Sequence, residues 1–249
     1  MKIADMTGQD LSERLLIAVI NYDESADRLL NFPHLRKGSF AVLTQLCVGD
    51  KNLSGHYSTC LTVTNDMLNG WGISKNELFQ MASENSVKQF PAVLQPITDF
   101  VKGSESVFLE EAFDISRIRV LSNETYFNGA AAMFYPGMLE RIAKSLQCEK
   151  YYIMPSSVNH MYCIPEGNGI TLDELKGVFK ELSGLIEDKS RLCNDILVYD
   201  TNKNKLQEMD GTTFDTLLNV PTLTNVSIIS CPIFFLIFHI TYSTVLYGI

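Results

Sequence analysis

Phe40-Ala-Val-Leu-Thr-Gln-Leu-Cys-Val48, the polar stretch Gly49 to His56, and Tyr57-Ser-Thr-Cys-Leu-Thr-Val63 together decide the fold. The first run is apolar almost throughout and is bounded by Gly38 and by Gly49-Asp50. That is the pattern of a strand. The second run follows at hairpin distance and reads as its partner. A hairpin of this kind is antiparallel, and it needs helices or further strands to bury its faces.

Outward from the hairpin, Leu11 to Leu30 predicts a helix. Leu15, Ala18, Val19, Tyr22, Ala26, Leu29 and Leu30 recur near helical spacing, and Pro33 ends the run. Downstream, Thr64-Asn65-Asp66 offers capping groups for a short turn at Met67-Leu68. Ser74 with Glu77 forms a capping box for a helix that carries Leu78, Phe79, Met81 and Ala82 and stops before Pro91. Gln95 to Ser106 reads as loop, with Lys102-Gly103-Ser104 as a boundary. Arg117 to Leu121 predicts a strand, Asn128-Gly129 a hairpin turn and Ala130 to Phe134 the next strand. Pro136 starts a helix through Leu146. Tyr151 to Met154 and His160 to Ile164 read as strands joined by a Pro155-Ser156-Ser157 turn. After the Pro165 to Gly169 turn, Thr171 and Glu174 box the start of a helix that runs to about Glu187. Ile196 to Tyr199 is the last strand, with a polar turn from Asp200 to Lys205.

The mixture predicts an α+β fold: helices packed on a largely antiparallel, hairpin-built sheet, in two similar lobes. The N-terminal lobe is residues 1–103 (helix, strand pair, helix) and the C-terminal lobe 104–210. A linker, 211–225, leads to an apolar tail, 226–249. The lobes share an order of elements but no identity at a fixed period.

The chain has 249 residues, a formal charge of -9 and 46% hydrophobic residues. It can build a core. The acidic balance argues against nucleic acid, which needs clustered Lys and Arg. Six cysteines, none in a CxxC pair, read mostly as buried thiols in a reducing, cytoplasmic setting. The N-terminus lacks the apolar core of a signal peptide. Val226 to Ile249 contains no charged residue, and about 20 apolar residues suffice to cross a bilayer. Two readings stand for this tail: a transmembrane helix that anchors the chain, or an incidental or domain-packed end.

Asn31-Phe-Pro-His34, Val63-Thr-Asn65 with Trp71-Gly-Ile73, Asn128-Gly-Ala-Ala-Ala with Tyr135-Pro-Gly137, Pro155-Ser-Ser157 and Tyr199-Asp200 belong together. As a set, over roughly Leu11 to Lys205, they resemble DUF5688, a bacterial family without an established activity, substrate or cofactor. The resemblance implies that family members carry a further N-terminal segment and end near the last strand. On that expectation the apolar tail is an addition, from a truncated or frame-shifted reading.

Candidate sites are few. Ser157 with His160 could form a nucleophile and base, with Asp114 or Asp195 orienting the ring. Pro-Ser-Ser is more often plain turn chemistry. A zinc site from His160 and Cys163 would need remote ligands, and residues three apart on a strand face opposite sides. Cys148 beside Glu149 lacks an electropositive setting. Pro165 to Gly169 has no phosphate-loop spacing. Trp71 reads as a core anchor or an interface residue. Tyr151-Tyr152 on a strand sends one ring in and one out, and the outward ring is an interface candidate. The favoured reading is a non-enzymatic interaction or accessory domain with an unidentified protein partner and no cofactor or metal. The alternative is a small hydrolase at Ser157 and His160.

Overall fold

The computed structural model describes residues 6, 8–51, 57–100, 115–167, 169, 171–184, 190–193 and 195–218. Within the stretch read as one long helix, only Gly8–Arg14 (α1) and Ala26–Leu29 (α2) are α-helical. Leu15–Asn21 is a strand, β1. Leu15 to Val19 are all buried. A run covered on both faces loses its alternation, so spacing cannot separate helix from strand; Ile17, Val19 and Ile20 favour the strand.

His34–Lys37 (β2), Phe40–Lys51 (β3) and Tyr57–Thr62 (β4) complete the first sheet. β1 pairs along one side of β3, from Leu15 opposite Leu46 to Asn21 opposite Phe40. β2 and β4 share the other side end to end, β2 against Phe40 to Leu43 and β4 against Gln45 onward. The expected hairpin is therefore present, with β3 as its central strand. Thr64 caps Asn65–Trp71 (α3), and the Ser74–Glu77 capping box starts Lys75–Gln89 (α4). α4 lies along the open side of β1. Ser86 Oγ accepts from the Ile17 amide at 2.9 Å, and Asn85 Nδ2 donates to the Leu15 carbonyl at 3.0 Å. Helix side chains thus satisfy backbone groups that a sheet edge leaves open.

The second sheet has seven antiparallel strands. They are Ala92–Pro96 (β5), Arg119–Asn123 (β6), Lys150–Ser157 (β7), His160–Pro165 (β8), Leu197–Asp200 (β9), Lys205–Glu208 (β10) and Thr213–Phe214 (β11). Their spatial order is β11-β10-β9-β7-β8-β6-β5. β5 and Ile97–Phe100 (α5) replace the loop expected from Gln95 onward. β5 belongs to the later sheet although it precedes the expected boundary, and β11 lies within the expected linker. Lys102-Gly103-Ser104, Asp114 and the tail from Val226 fall outside the described residues. Met138–Leu146 (α6) and Leu172–Gly184 (α7) match the expected helices, and Thr171 and Glu174 form their capping bonds.

Ala130 to Phe134 is not a strand. Gly129–Phe134 forms a 3-10 helix, buried throughout, that touches β1, β6 and β8. Three consecutive alanines let the backbone enter the space between the sheets. At Gly129 any Cβ would collide with Ser122 Oγ and the Asn159 carbonyl. One large core holds Phe40, Val42 and Leu46 of the first sheet, Leu121, Tyr151, Ile153 and Leu197 of the second, and the 3-10 helix with α6. The other face of the second sheet carries a separate cluster with Val120, Tyr162 and Ile164 against Leu175 and Phe179 of α7.

A corner also joins the sheets. Glu208 Oε1 accepts from the Ser39 amide at 2.6 Å, Lys37 pairs with Asp215 at 2.8 Å, and the Phe40 and Phe214 rings lie 6.0 Å apart. Gly38, at φ +59, allows this approach, since a Cβ there would lie 2.6 Å from Glu208 Oε1 and from the Phe214 ring.

The reading of the cysteines needs one correction. Cys47 and Cys60 stand opposite each other on β3 and β4, Cα atoms 4.0 Å apart, and form a disulfide. Among the described residues, Cys163 and Cys193 are buried thiols and Cys148 a half-buried one.

Candidate functional site

Ser157 and His160 flank the β7–β8 turn. Pro155 to Ser157 continue β7, so the turn itself is Val158-Asn159 rather than Pro-Ser-Ser. The pairing irregularity between Met154 and Ser157 brings Ser157 opposite His160. Ser157 Oγ lies 3.3 Å from His160 Nδ1 and accepts from the Asn159 amide at 3.2 Å. The His160 ring packs 4.7 Å from Phe100 and 5.3 Å from Tyr162, centroid to centroid. Burial pushes its pKa down to about 4. The imidazole is therefore neutral at pH 7 but a weak base.

The remaining triad member is not supplied by Asp195. One of its carboxylate oxygens accepts from the Ile196 amide at 2.8 Å and the other from the Met209 amide at 3.1 Å. It fastens β9 to the end of β10. Cys163 lies in the large core, while His160 stacks on the opposite face of β8. Among the described residues no three His, Cys, Asp or Glu side chains converge as a metal site would require. Cys148 is half-buried, and burial raises its thiol pKa, the opposite of what a reactive thiolate needs. Gly167 and Gly169 both have positive φ, as tight-turn glycines do, and Lys150 pairs with Glu166 at 2.6 Å.

Tyr151 is fully buried, its hydroxyl donating to the Leu139 carbonyl at 3.0 Å and its ring 5.4 Å from Tyr199. Tyr152 points to the other face, where it packs partly buried against the second cluster. Trp71 ends α3, partly buried against the large core.

A different feature escaped the sequence reading. Between β6 and the 3-10 helix the chain turns at Asn123 to Asn128. Asn123 ties the turn together: its Nδ2 donates to the Phe127 carbonyl at 2.7 Å, and its Oδ1 accepts from the Thr125 amide and hydroxyl, each at 3.0 Å. Tyr126 and Asn128 both take left-handed backbone, at φ 58 and φ 51. For a tyrosine this costs about 1–2 kcal/mol and persists only where its surroundings enforce it. Gln95 Nε2 donates to the Tyr126 hydroxyl at 2.9 Å, and Asn128 Nδ2 donates to Gln45 Oε1 on β3 at 2.7 Å. The result is a pinned turn that leaves Tyr126 42% and Phe127 44% exposed. Phe100 backs Tyr126 at 5.7 Å, and Phe90 backs Phe127 at 6.5 Å. Two large aromatics immediately before Asn-Gly were the available signal in the sequence.

No curated protein and no solved structure matches the chain. Residues 3–201 match the model of DUF5688, a family of unknown function, and the chain belongs to that family.

Proposed function

We propose that the chain is a non-enzymatic protein-interaction domain whose contact face is the Tyr126–Phe127 turn. The observation that carries this reading is the strained backbone of Tyr126 in a turn held by bonds from Asn123, Gln95 and Asn128, which leaves two neighbouring aromatic side chains partly exposed. Buried aromatic anchors with a polar rim dominate protein interfaces. A pinned turn spares much of the entropy of ordering them on binding. With a chain charge of -9, the fitting partner is a neutral or basic protein surface with an apolar pocket. The test is binding between the full chain and a purified partner first found by crosslinking. Replacing Tyr126 and Phe127 together with serine should weaken the Kd about 30-fold or more, the scale of a hot spot. An unchanged Kd would remove this face from the proposal.

The Ser157 to His160 contact favours a hydrolase as the second reading. Hydrolysis of simple esters by the full chain, lost on His160→Asn, would establish it and displace the interaction reading. The absence of turnover above buffer would eliminate it.

The location in this proposal is the cytoplasmic side of a membrane, held by Val226 to Ile249. The lack of charge from Val226 to Ile249 supports it, since about 20 apolar residues suffice to cross a bilayer. No helix among the described residues is long and apolar enough to cross a membrane, and the tail lies outside them. The full chain should stay with membranes through carbonate washing and be released by detergent. Release by carbonate, or a pellet that detergent does not dissolve, would count against the anchor.

A further inference from the structure

The Cys47–Cys60 disulfide lies close to the turn just described, and two routes connect them. Cys47 is fully buried and Cys60 partly so, and both pack with Leu16 and Phe90 in a small cluster. Phe90 is the same ring that backs the exposed Phe127. The second route runs along β3. Gln45 lies two residues from Cys47, on the same face of the strand, and pairs with Thr62 of β4. Its side chain accepts the bond from Asn128 that ends the turn. The disulfide therefore staples β3 to β4 where β3 holds the aromatic turn in place.

We infer that this disulfide is a redox-operated latch on the Tyr126–Phe127 face; as a statement about regulation of that face, it rests on the interaction reading. On the cytoplasmic location proposed above, on which this step also rests, a disulfide is usually transient, catalytic or sensing rather than structural. A dithiol reductant supplies the opening step. One of its thiolates attacks the more accessible Cys60 sulfur, forming a mixed disulfide and expelling the Cys47 thiolate, which takes a proton. The second thiol of the reductant then displaces Cys60, leaving two protein thiols and the reductant's own disulfide. Two electrons and two protons pass to the protein. A low-molecular-weight disulfide closes the latch by the reverse exchange. Among the described residues, two of the three remaining thiols are poorly placed to compete. Cys163 and Cys193 are buried, with pKa values raised by burial, that of Cys193 to about 12. Reduction removes the covalent link between β3 and β4 but leaves their backbone pairing, and so loosens the Phe90 packing and the seating of Gln45 that hold the turn.

The experiment is chymotrypsin cleavage after Tyr126 and Phe127 in the oxidised full chain and in the same chain after dithiothreitol. Alkylation under denaturing conditions scores the disulfide by mass. Cleavage should be about tenfold faster after reduction, because proteolysis follows the population of the opened segment. The far-UV circular dichroism should not change. Gln45→Ala should give the fast rate with the disulfide intact. Three results would overturn the latch: equal cleavage rates with the disulfide demonstrably open, loss of the whole fold on reduction, or Cys47 and Cys60 alkylating freely in air-oxidised protein. No partner enters this measurement. A working latch with unchanged partner affinity in the Tyr126 and Phe127 variant would thus refute the contact face alone.

Discussion

Phe40→Ala is expected to destabilise the protein by about 3–5 kcal/mol, the cost of emptying a well-packed aromatic site. Phe40 is fully buried and opens β3, the central strand of the first sheet. Its ring meets Phe134 of the 3-10 helix edge-on at 6.1 Å and Phe214 of β11 at 6.0 Å. One side chain therefore touches the first sheet, the buried 3-10 segment and the last strand of the second sheet. None of these can collapse into the gap without moving another. The loss corresponds to a fall in Tm of about 10 °C for a chain of this size. Urea unfolding of wild type and variant, monitored by circular dichroism, measures it. A loss below about 1.5 kcal/mol would mean that the two sheets do not share a cooperative core.

Acidification should weaken the fold between pH 6.5 and 4 through His160. Its folded-state pKa is about 4, below the ordinary value of 6.5. In that window the unfolded chain binds a proton that the folded chain refuses. Stability is therefore fully present above about pH 6.5 and falls with pH until about 4. The gap corresponds to about 3 kcal/mol in total. The physical cause is desolvation of the ring between Phe100 and Tyr162. The lowered carboxylates Glu77, Glu174, Asp200 and Asp210 act at lower pH, since each loses its contribution as pH drops below the ordinary carboxylate range. His160→Phe keeps a ring in place and removes the titration, so its urea midpoint should stay nearly flat from pH 6.5 to 4.5. Parallel curves for wild type and variant would refute the assignment.

The Ser157 and His160 contact was legible because three residues across a tight turn must meet. The idle state of Asp195 was not. A carboxylate's partners are chosen by the strand ends packed beside it, and here two amides, Ile196 and Met209, claim both oxygens. The aromatic face was legible only as composition, Tyr-Phe before Asn-Gly. Its exposure depends on Gln95 and Gln45, which come from β5 and β3.

The sequence by itself determined what is settled within a few residues. The caps at Thr64, Ser74 and Thr171 start helices because a side-chain oxygen reaches amides two or three positions ahead. The β3–β4 and β7–β8 hairpins and the α+β class follow from apolar runs broken by turns. Only the tertiary structure decided the state of Leu15 to Asn21 and of Ala130 to Phe134. Both are apolar segments whose spacing does not fix the backbone (Leu15, Ala18 and Val19 recur near helical spacing yet lie on a strand), and each adopts the backbone that its surroundings can satisfy. For β1 these are β3 on one side and the Asn85 and Ser86 side chains on the other. For Ala130 to Phe134 it is a narrow space between two sheets that admits a tight helix of small residues. The disulfide belongs to the same class, because Cys47 meets Cys60 only through the register in which β4 pairs with β3.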